Sequence, residues 1–371
     1  MREKNFNAPS AVPSRITPHS SRLKILILKP SSLGDVIHAL PVLRLLKLHF
    51  RDAEIFWWID SALAPLIEGD PDLAGIVRFE RQRWGQPRHW PEMLRSLRWL
   101  RAQNFDLVID LQSLLRSAVF AWLTRGKFLA GLDDTREGAS GFYDLAVPRQ
   151  DFSTHAVDWY LSVLPPLGVP VHKNFEWLPE RKEVAADLKR KWPAAFSSTP
   201  HSALRTPHLI ALQPGARWDN KRGPAEHFAA LVHELDGKFP SARFAILGGK
   251  DDLPLGEKIA AAAPEKCLNL CGATTLPEMI EWVRLCDLLI TNDTGPMHVA
   301  AAMGKPLLAL FGPTAPARTG PYGQLENVMQ IELPCSPCMK SDCHFAKPNE
   351  CLRALTPDAV RQRASAILST T

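Results

Sequence analysis

Three stretches of the chain gather side chains able to take a proton or hold a phosphate. The first is Lys29-Pro-Ser-Ser-Leu-Gly-Asp-Val-Ile-His38, where an apolar run ends and a helical pattern begins. Such a junction presents backbone N–H groups and the positive end of a helix dipole. Ser32 offers a hydroxyl there, Gly34 allows close backbone approach, and Asp35 stands at the mouth as a candidate base. The same spacing suits a helix cap at Ser32 or Asp35. The second stretch is Leu212-Gln-Pro-Gly-Ala-Arg-Trp-Asp-Asn-Lys-Arg-Gly-Pro224. Its small residues Gly215 and Ala216 precede two adjacent cations, Lys221 and Arg222, an arrangement that suits a phosphate and equally a solvated basic turn. The third runs from Thr291 to Lys305 and holds Asn292-Asp293-Thr294-Gly295 before an Ala-rich helical pattern. Asp293 can accept from sugar hydroxyls, Thr294 and Gly295 supply N–H groups at a helix start, and His298 falls in the first turn. Capping by Asp293 or Thr294 is the competing use.

Two further clusters stand apart. Cys335, Cys338, Cys343 and Cys351 place four thiols within 17 residues, enough for a tetrahedral zinc or iron site or simply a loop of reduced thiols. Arg81, Arg83, Arg88, Arg95, Arg98 and Arg101 interleave with Trp84, Trp90 and Trp99. That stretch suits an anionic membrane face or acceptor, and equally a solvated helix. Neither a Walker loop nor a GxGxxG after the first strand is present. The one Asp-x-Asp is Asp70-Pro-Asp72, which reads as a turn and gives little support to a metal-held diphosphate.

The elements that must position these groups alternate in type. Apolar runs at 23–29, 54–60, 76–80 and 105–111 read as buried strands, with helical patterns at 36–50, 61–68, 91–103 and 113–124. Residues 191–207, rich in Pro and Ser, read as a linker. Beyond it strands at 208–213, 242–249, 266–271, 287–292 and 306–312 alternate with helices near 224–238, 254–263, 276–285 and 296–303. Pro224 suits the first helical position. The expected fold is α/β, with two Rossmann-like doubly wound domains facing across a cleft. The division is a disordered tail at 1–22, an acceptor-binding domain at 23–190, the linker, a donor-binding domain at 208–355 and a final helix at 356–371.

Length and composition agree with that plan. The chain has 371 residues, 46% hydrophobic and 22% charged, so it is neither disordered nor fibrous. A net charge of +5 is too small for nucleic-acid wrapping but fits a partner carrying phosphates. No apolar run approaches the ~18 residues of a membrane span. The polar, Pro/Ser-rich start lacks the apolar core of a secretory signal, and seven cysteines without one point to a reducing, cytoplasmic setting.

The PSSLGDVIHALP and NDTGPMHVAAAMGKP stretches, in this order on two such halves, resemble the heptosyltransferase family, glycosyltransferase family 9, over about residues 23–365. FDLVIDLQSLLRSA, DDTREGASGFYD and THAVDWYLSVL are similar to enzymes that add the first heptose to the lipopolysaccharide inner core. The resemblance implies a GT-B fold and an inverting, metal-independent transfer of heptose from ADP-L-glycero-D-manno-heptose to Kdo-lipid A at the inner face of the cytoplasmic membrane. It implies Asp35 as general base and Lys221 on the donor phosphates, with Gly215 and Ala216 beside it. Asp293 would hold heptose hydroxyls, with Thr294, Gly295 and His298 in the same donor motif. Ser32, Gly34, Arg81, Arg83 and Arg136 would face the acceptor. A protein-modifying branch of the family holds iron with four cysteines. The chain departs from the family at Lys221-Arg-Gly-Pro224, where Lys-[HR]-Trp-Pro is usual, and lacks the preceding Thr-Thr pair. The other readings are a second-heptose or hexose transferase of this family, and a non-catalytic nucleotide-binding protein.

Overall fold

The apolar pentapeptide KILIL forms β1 (Lys24–Leu28), with Ile25 through Leu28 fully buried, as a strand covered on both faces requires. The computed structural model describes residues 22–134, 137–196 and 208–370. The tail expected at 1–22 (all but Arg22), Arg136, and 197–207 of the expected linker lie outside the described residues. The chain divides into two compact units, residues 1–177 and 178–371.

In the first unit β1 is joined by β2 (Glu54–Asp60), β3 (Gly75–Phe79), β4 (Leu107–Asp110), β5 (Leu129–Asp133) and β6 (Leu145–Pro148). They form one parallel sheet in the order β3-β2-β1-β4-β5-β6. Its helices are α1 (Leu33–His49), α2 (Arg81–Trp84), α3 (Trp90–Ala102), α4 (Leu115–Leu123) and α5 (Ala156–Leu161). Residues 61–68, expected to be helical, supply only one 3-10 turn at Ala64–Leu66. Strands β5 and β6 escape the sequence reading because LAGLD and LAVP are short and of mixed type. Gly131 in β5 is required there, since a Cβ would fall 2.4 Å from the Tyr143 ring.

The second unit repeats the design. Strands β7 (Leu209–Gln213), β8 (Arg243–Ile246), β9 (Cys267–Asn269), β10 (Leu288–Asn292), β11 (Leu307–Phe311) and β12 (Val328–Gln330) run parallel in the order β12-β11-β10-β7-β8-β9. Around them lie α6 (Lys182–Lys191), α7 (Pro193–Phe196), α8 (Ala225–Lys238), α9 (Leu253–Ala260), α10 (Leu276–Leu285), α11 (Gly295–Ala302), α12 (Pro316–Thr319), α13 (Glu350–Arg353) and α14 (Pro357–Thr370). Pro224 is the residue before α8 in extended conformation (ψ 135°), not its first helical residue. In each sheet the order of strand addition reverses beside the first strand, between β1 and β4 and between β7 and β10, while all strands stay parallel. Ligands of doubly wound sheets bind beyond the strand ends at such switch points.

The boundaries differ from those drawn on the sequence. The division falls after Trp177, and α6 packs on α10 in the second unit. The expected linker is helical at its start because Trp192 and Phe196 pack their rings on Trp282, with centroids 5.6 and 5.2 Å away. The final helix is not separate either: Val360, Ala364, Ile367 and Leu368 of α14 join the buried cluster of α8 and β10. At the junction each unit secures its own end. Arg44, buried in α1, binds Asp70 and Asp72 and donates to the Trp177 carbonyl at 3.0 Å. Arg284 of α10 donates to the carbonyls of Leu178 (2.9 Å) and Pro179 (3.3 Å), and Glu281 accepts from the Arg181 N–H. Asp70-Pro-Asp72 is thus a turn with a structural duty.

Candidate active site

In the first unit Asp35 occupies the third position of α1, beyond the end of β1. Its Oδ2 accepts from the Ser32 N–H at 2.9 Å and the Ser32 Oγ at 2.8 Å, and its Oδ1 from the Tyr160 hydroxyl at 3.0 Å. The capping reading therefore holds for Asp35, and a further donor reaches it from α5. Burial opposes its charge, but the Lys29 ammonium and the bonds from Ser32 and Tyr160 outweigh this and hold the carboxyl below the usual carboxylate value. It is ionised at neutral pH and able to take a proton. Gly34 is buried in the first turn beside it.

Lys29 directly follows β1 and is 3% exposed, donating to the Leu111 carbonyl at 3.1 Å with its Nζ 4.7 Å from the Tyr160 ring centre. Burial pushes its pKa down, against Asp35 and Asp110. Asp110 at the end of β4 is fully buried and accepts from the Gln112 N–H and the Tyr143 hydroxyl, each at 2.8 Å. Burial raises its pKa and that of Tyr143.

In the second unit Lys221 and Asp293 come together from separate motifs. Lys221 Nζ lies 2.6 Å from Asp293 Oδ2, which also accepts from the Thr314 hydroxyl at 2.6 Å. The Lys221 ammonium lies 4.7 Å from the Trp218 ring centre. Thr294 takes the N-cap position of α11 without its hydroxyl bonding into the first turn, and Asp293 is committed to Lys221 and Thr314. Capping does not account for this motif. His298 is buried on α11. Of the two cations only Lys221 enters the cluster: Arg222 donates to the Ala216 carbonyl at 2.8 Å and turns toward Asp252, 3.7 Å away. Gly215 is pressed on that same Asp252, where a Cβ would meet the carboxylate at 2.3 Å.

The cysteine loop borders this cluster. Met339 N–H donates to the Pro313 carbonyl, Ser336 Oγ to the Gly312 carbonyl, and Asn220 Nδ2 to the Lys340 carbonyl. Cys351 is buried, which raises its thiol pKa, and Cys343, Cys335 and Cys338 all raise it further. Among the described residues no group of three or more His, Cys, Asp or Glu is arranged to hold a metal ion.

Arg83 is exposed in α2 and faces Glu92 at 3.5 Å, Arg81 opens the same short helix, and Arg136 lies outside the described residues. The basic aromatic stretch separates by role: Trp84 joins the core, while Trp90, Leu94 and Trp99 are 52%, 44% and 45% exposed.

A family model for glycosyltransferase family 9 (heptosyltransferase) matches residues 93–348. The chain belongs to this family. It is 30% identical to lipopolysaccharide heptosyltransferase 1 of Pseudomonas aeruginosa over 93% of this chain and 98% of that protein. It is 28% identical to lipooligosaccharide heptosyltransferase 2 of Campylobacter jejuni over 93% of this chain and 98% of that one. Among solved structures, E. coli heptosyltransferase WaaC with ADP superposes with a TM-score of 0.72 at 23% identity, covering 93% of this chain and all of that one. The fold is GT-B, and the chain is a glycosyltransferase of the heptosyltransferase family.

The family 9 motifs left several site residues unassigned. Asp110, Tyr143 and Tyr160 fall inside stretches that carry the resemblance and Lys29 directly precedes one, yet their meeting depends on contacts 33 to 125 residues apart in sequence. Thr314 had no signal of its own beyond the strand end before it.

Proposed function

We propose that this family 9 transferase moves L-glycero-D-manno-heptose from ADP-heptose to the Kdo/lipid A inner core of lipopolysaccharide, with first-heptose addition favoured. The observation that carries the reading is the Lys221–Asp293–Thr314 cluster at the switch point of the second sheet. It offers a cation and helix N-terminal N–H groups for a diphosphate, and a carboxylate for sugar hydroxyls. The first-heptose preference draws on the Pseudomonas aeruginosa relative.

The acceptor hydroxyl attacks the anomeric carbon, forming the new C–O bond as the bond to the phosphate oxygen breaks. ADP leaves from the opposite face with the electron pair, so configuration inverts. Asp35 takes the hydroxyl proton and passes it to solvent. Lys221 offsets the charge that grows on the departing diphosphate, and no step calls on a metal. Incubation with ADP-heptose and Kdo-lipid A should add one heptose by mass spectrometry. Addition to an already heptosylated acceptor instead would assign the second position, and no transfer to either would overturn the reading.

The four-cysteine loop is a proposed structural zinc or iron site of this cytoplasmic enzyme, on the number and spacing of its thiols in the sequence. Elemental analysis of protein purified without chelator should find about one ion per chain; its absence removes the site. No helix among the described residues is long and apolar enough to cross a membrane. We propose peripheral attachment to the anionic inner face through α3, where Trp90, Leu94, Arg95 and Arg98 are exposed. Replacing Arg88, Arg95 and Arg98 with Gln should abolish co-sedimentation with anionic vesicles, and unchanged binding would refute this.

A further inference from the structure

The Asp35 carboxylate is held by more than its own helix, and the way it is held distinguishes its two oxygens. A carboxylate has about four acceptor positions, two on each oxygen. Oδ2 uses both of its positions on Ser32, for the N–H and the hydroxyl. Oδ1 uses one, on the Tyr160 hydroxyl. The open position is on Oδ1, next to the Tyr160 bond.

Tyr160 is itself fixed. It is 3% exposed on α5, which packs along α1, and its ring lies against the Lys29 ammonium. Lys29 is buried, and its ammonium donates to the Leu111 carbonyl just past the end of β4. An ammonium kept from water in this way is useful to the carboxylate whose charge it balances. The other groups around the pair are accounted for. Asp110 acts on Lys29 from β4 and carries the Tyr143 hydroxyl, while Arg149 acts on Tyr160 from the β6 side. The His38 and His155 rings meet edge to face 5.3 Å apart, one turn further along α1 and at the cap of α5.

We propose that Tyr160 and Lys29 are the positioning residues of the catalytic carboxylate: the Tyr160 hydroxyl fixes Oδ1, the oxygen that takes the acceptor proton, and Lys29 sets its charge. This rests on the reading of Asp35 as the base. A hydroxyl bonded to the reacting oxygen influences turnover more than binding. It also keeps the base ionised at lower pH, because it donates to the charged form and loses that bond on protonation. Lys29 acts in the same direction, as a positive charge held out of water beside the carboxylate.

The test is the pH dependence of kcat and kcat/KM for Tyr160→Phe and Lys29→Met, beside Asp35→Asn. Tyr160→Phe keeps the ring under the ammonium and removes one hydroxyl. Its acid limb should move up by about half to one pH unit, with kcat down about tenfold and acceptor KM within about twofold. Lys29→Met should move the limb up by about one to three units. ADP affinity, measured by calorimetry, reports on the other unit and should be unaltered in both, while a native-like circular dichroism spectrum and a cooperative unfolding transition show that each variant is folded. An acid limb that stays in place in Tyr160→Phe overturns the proposal, as does a loss expressed in KM alone. If Asp35→Asn retains near-normal kcat, the base reading itself fails, and this outcome is distinct from the first.

Discussion

Asp35→Asn is expected to lower kcat by about 10²- to 10⁴-fold while ADP binding persists. The substitution is nearly isosteric, so the helix start and the Tyr160 contact keep their shape, but the side chain can no longer take a proton. Asp35 is an ionised carboxylate held by donors from Ser32 and Tyr160. The loss should therefore be close to constant across neutral pH, where the native group is already charged. Single-turnover assays with saturating ADP-heptose separate this from weaker donor binding. Transfer at more than about a tenth of the native rate would remove Asp35 from the proton-transfer step.

Lys221→Ala is expected to lower kcat/KM by about 10²- to 10³-fold and to weaken ADP binding. Two effects add. The cation facing the diphosphate is lost, and Asp293, whose side chain is 5% exposed, keeps a charge no longer balanced by the ammonium 2.6 Å away. The second effect is separable. Adding Asp293→Asn to Lys221→Ala removes the repulsion and should restore part of the ADP affinity. Transfer should stay low, because the introduced amide cannot accept from heptose hydroxyls as the carboxylate does. ADP affinity equal to the native value in Lys221→Ala would place the phosphates elsewhere.

The parts legible in the sequence are those written in local periodicity. The apolar runs of β1, β7 and β10 marked their strands, and the polar residues just past each run pointed to Asp35, Lys221 and Asp293. Local pattern also left the two uses of such residues undecided. The structure divides them: Asp35 caps its helix while keeping an open acceptor position on Oδ1, whereas Asp293 caps nothing and binds Lys221. What stayed hidden depends on strand order. Lys29 and Asp110 meet because β4 is placed beside β1, and Thr314 reaches Asp293 because β11 lies beside β10. Neither neighbour relation has a signature in composition. The boundary at Trp177 was hidden for another reason. Residues 178–190 carry no strong turn signal, and their loyalty to the second unit comes from Arg284 and from α6 on α10.

That junction also bears on where a protease could cut. Cleavage needs a segment that can be drawn out of its hydrogen bonds into an extended form. From Trp177 to Arg181 the chain offers little of that kind. The carbonyls of Trp177, Leu178 and Pro179 are held by arginines, and the Arg181 N–H is held by Glu281. Arg44 and Glu281 are among the most buried charged residues of their units, so freeing these peptide groups means opening part of a folded core. Separating the two halves enzymatically through this segment would therefore proceed at the rate of that opening, and a site engineered here would have to replace Arg44 or Arg284 first.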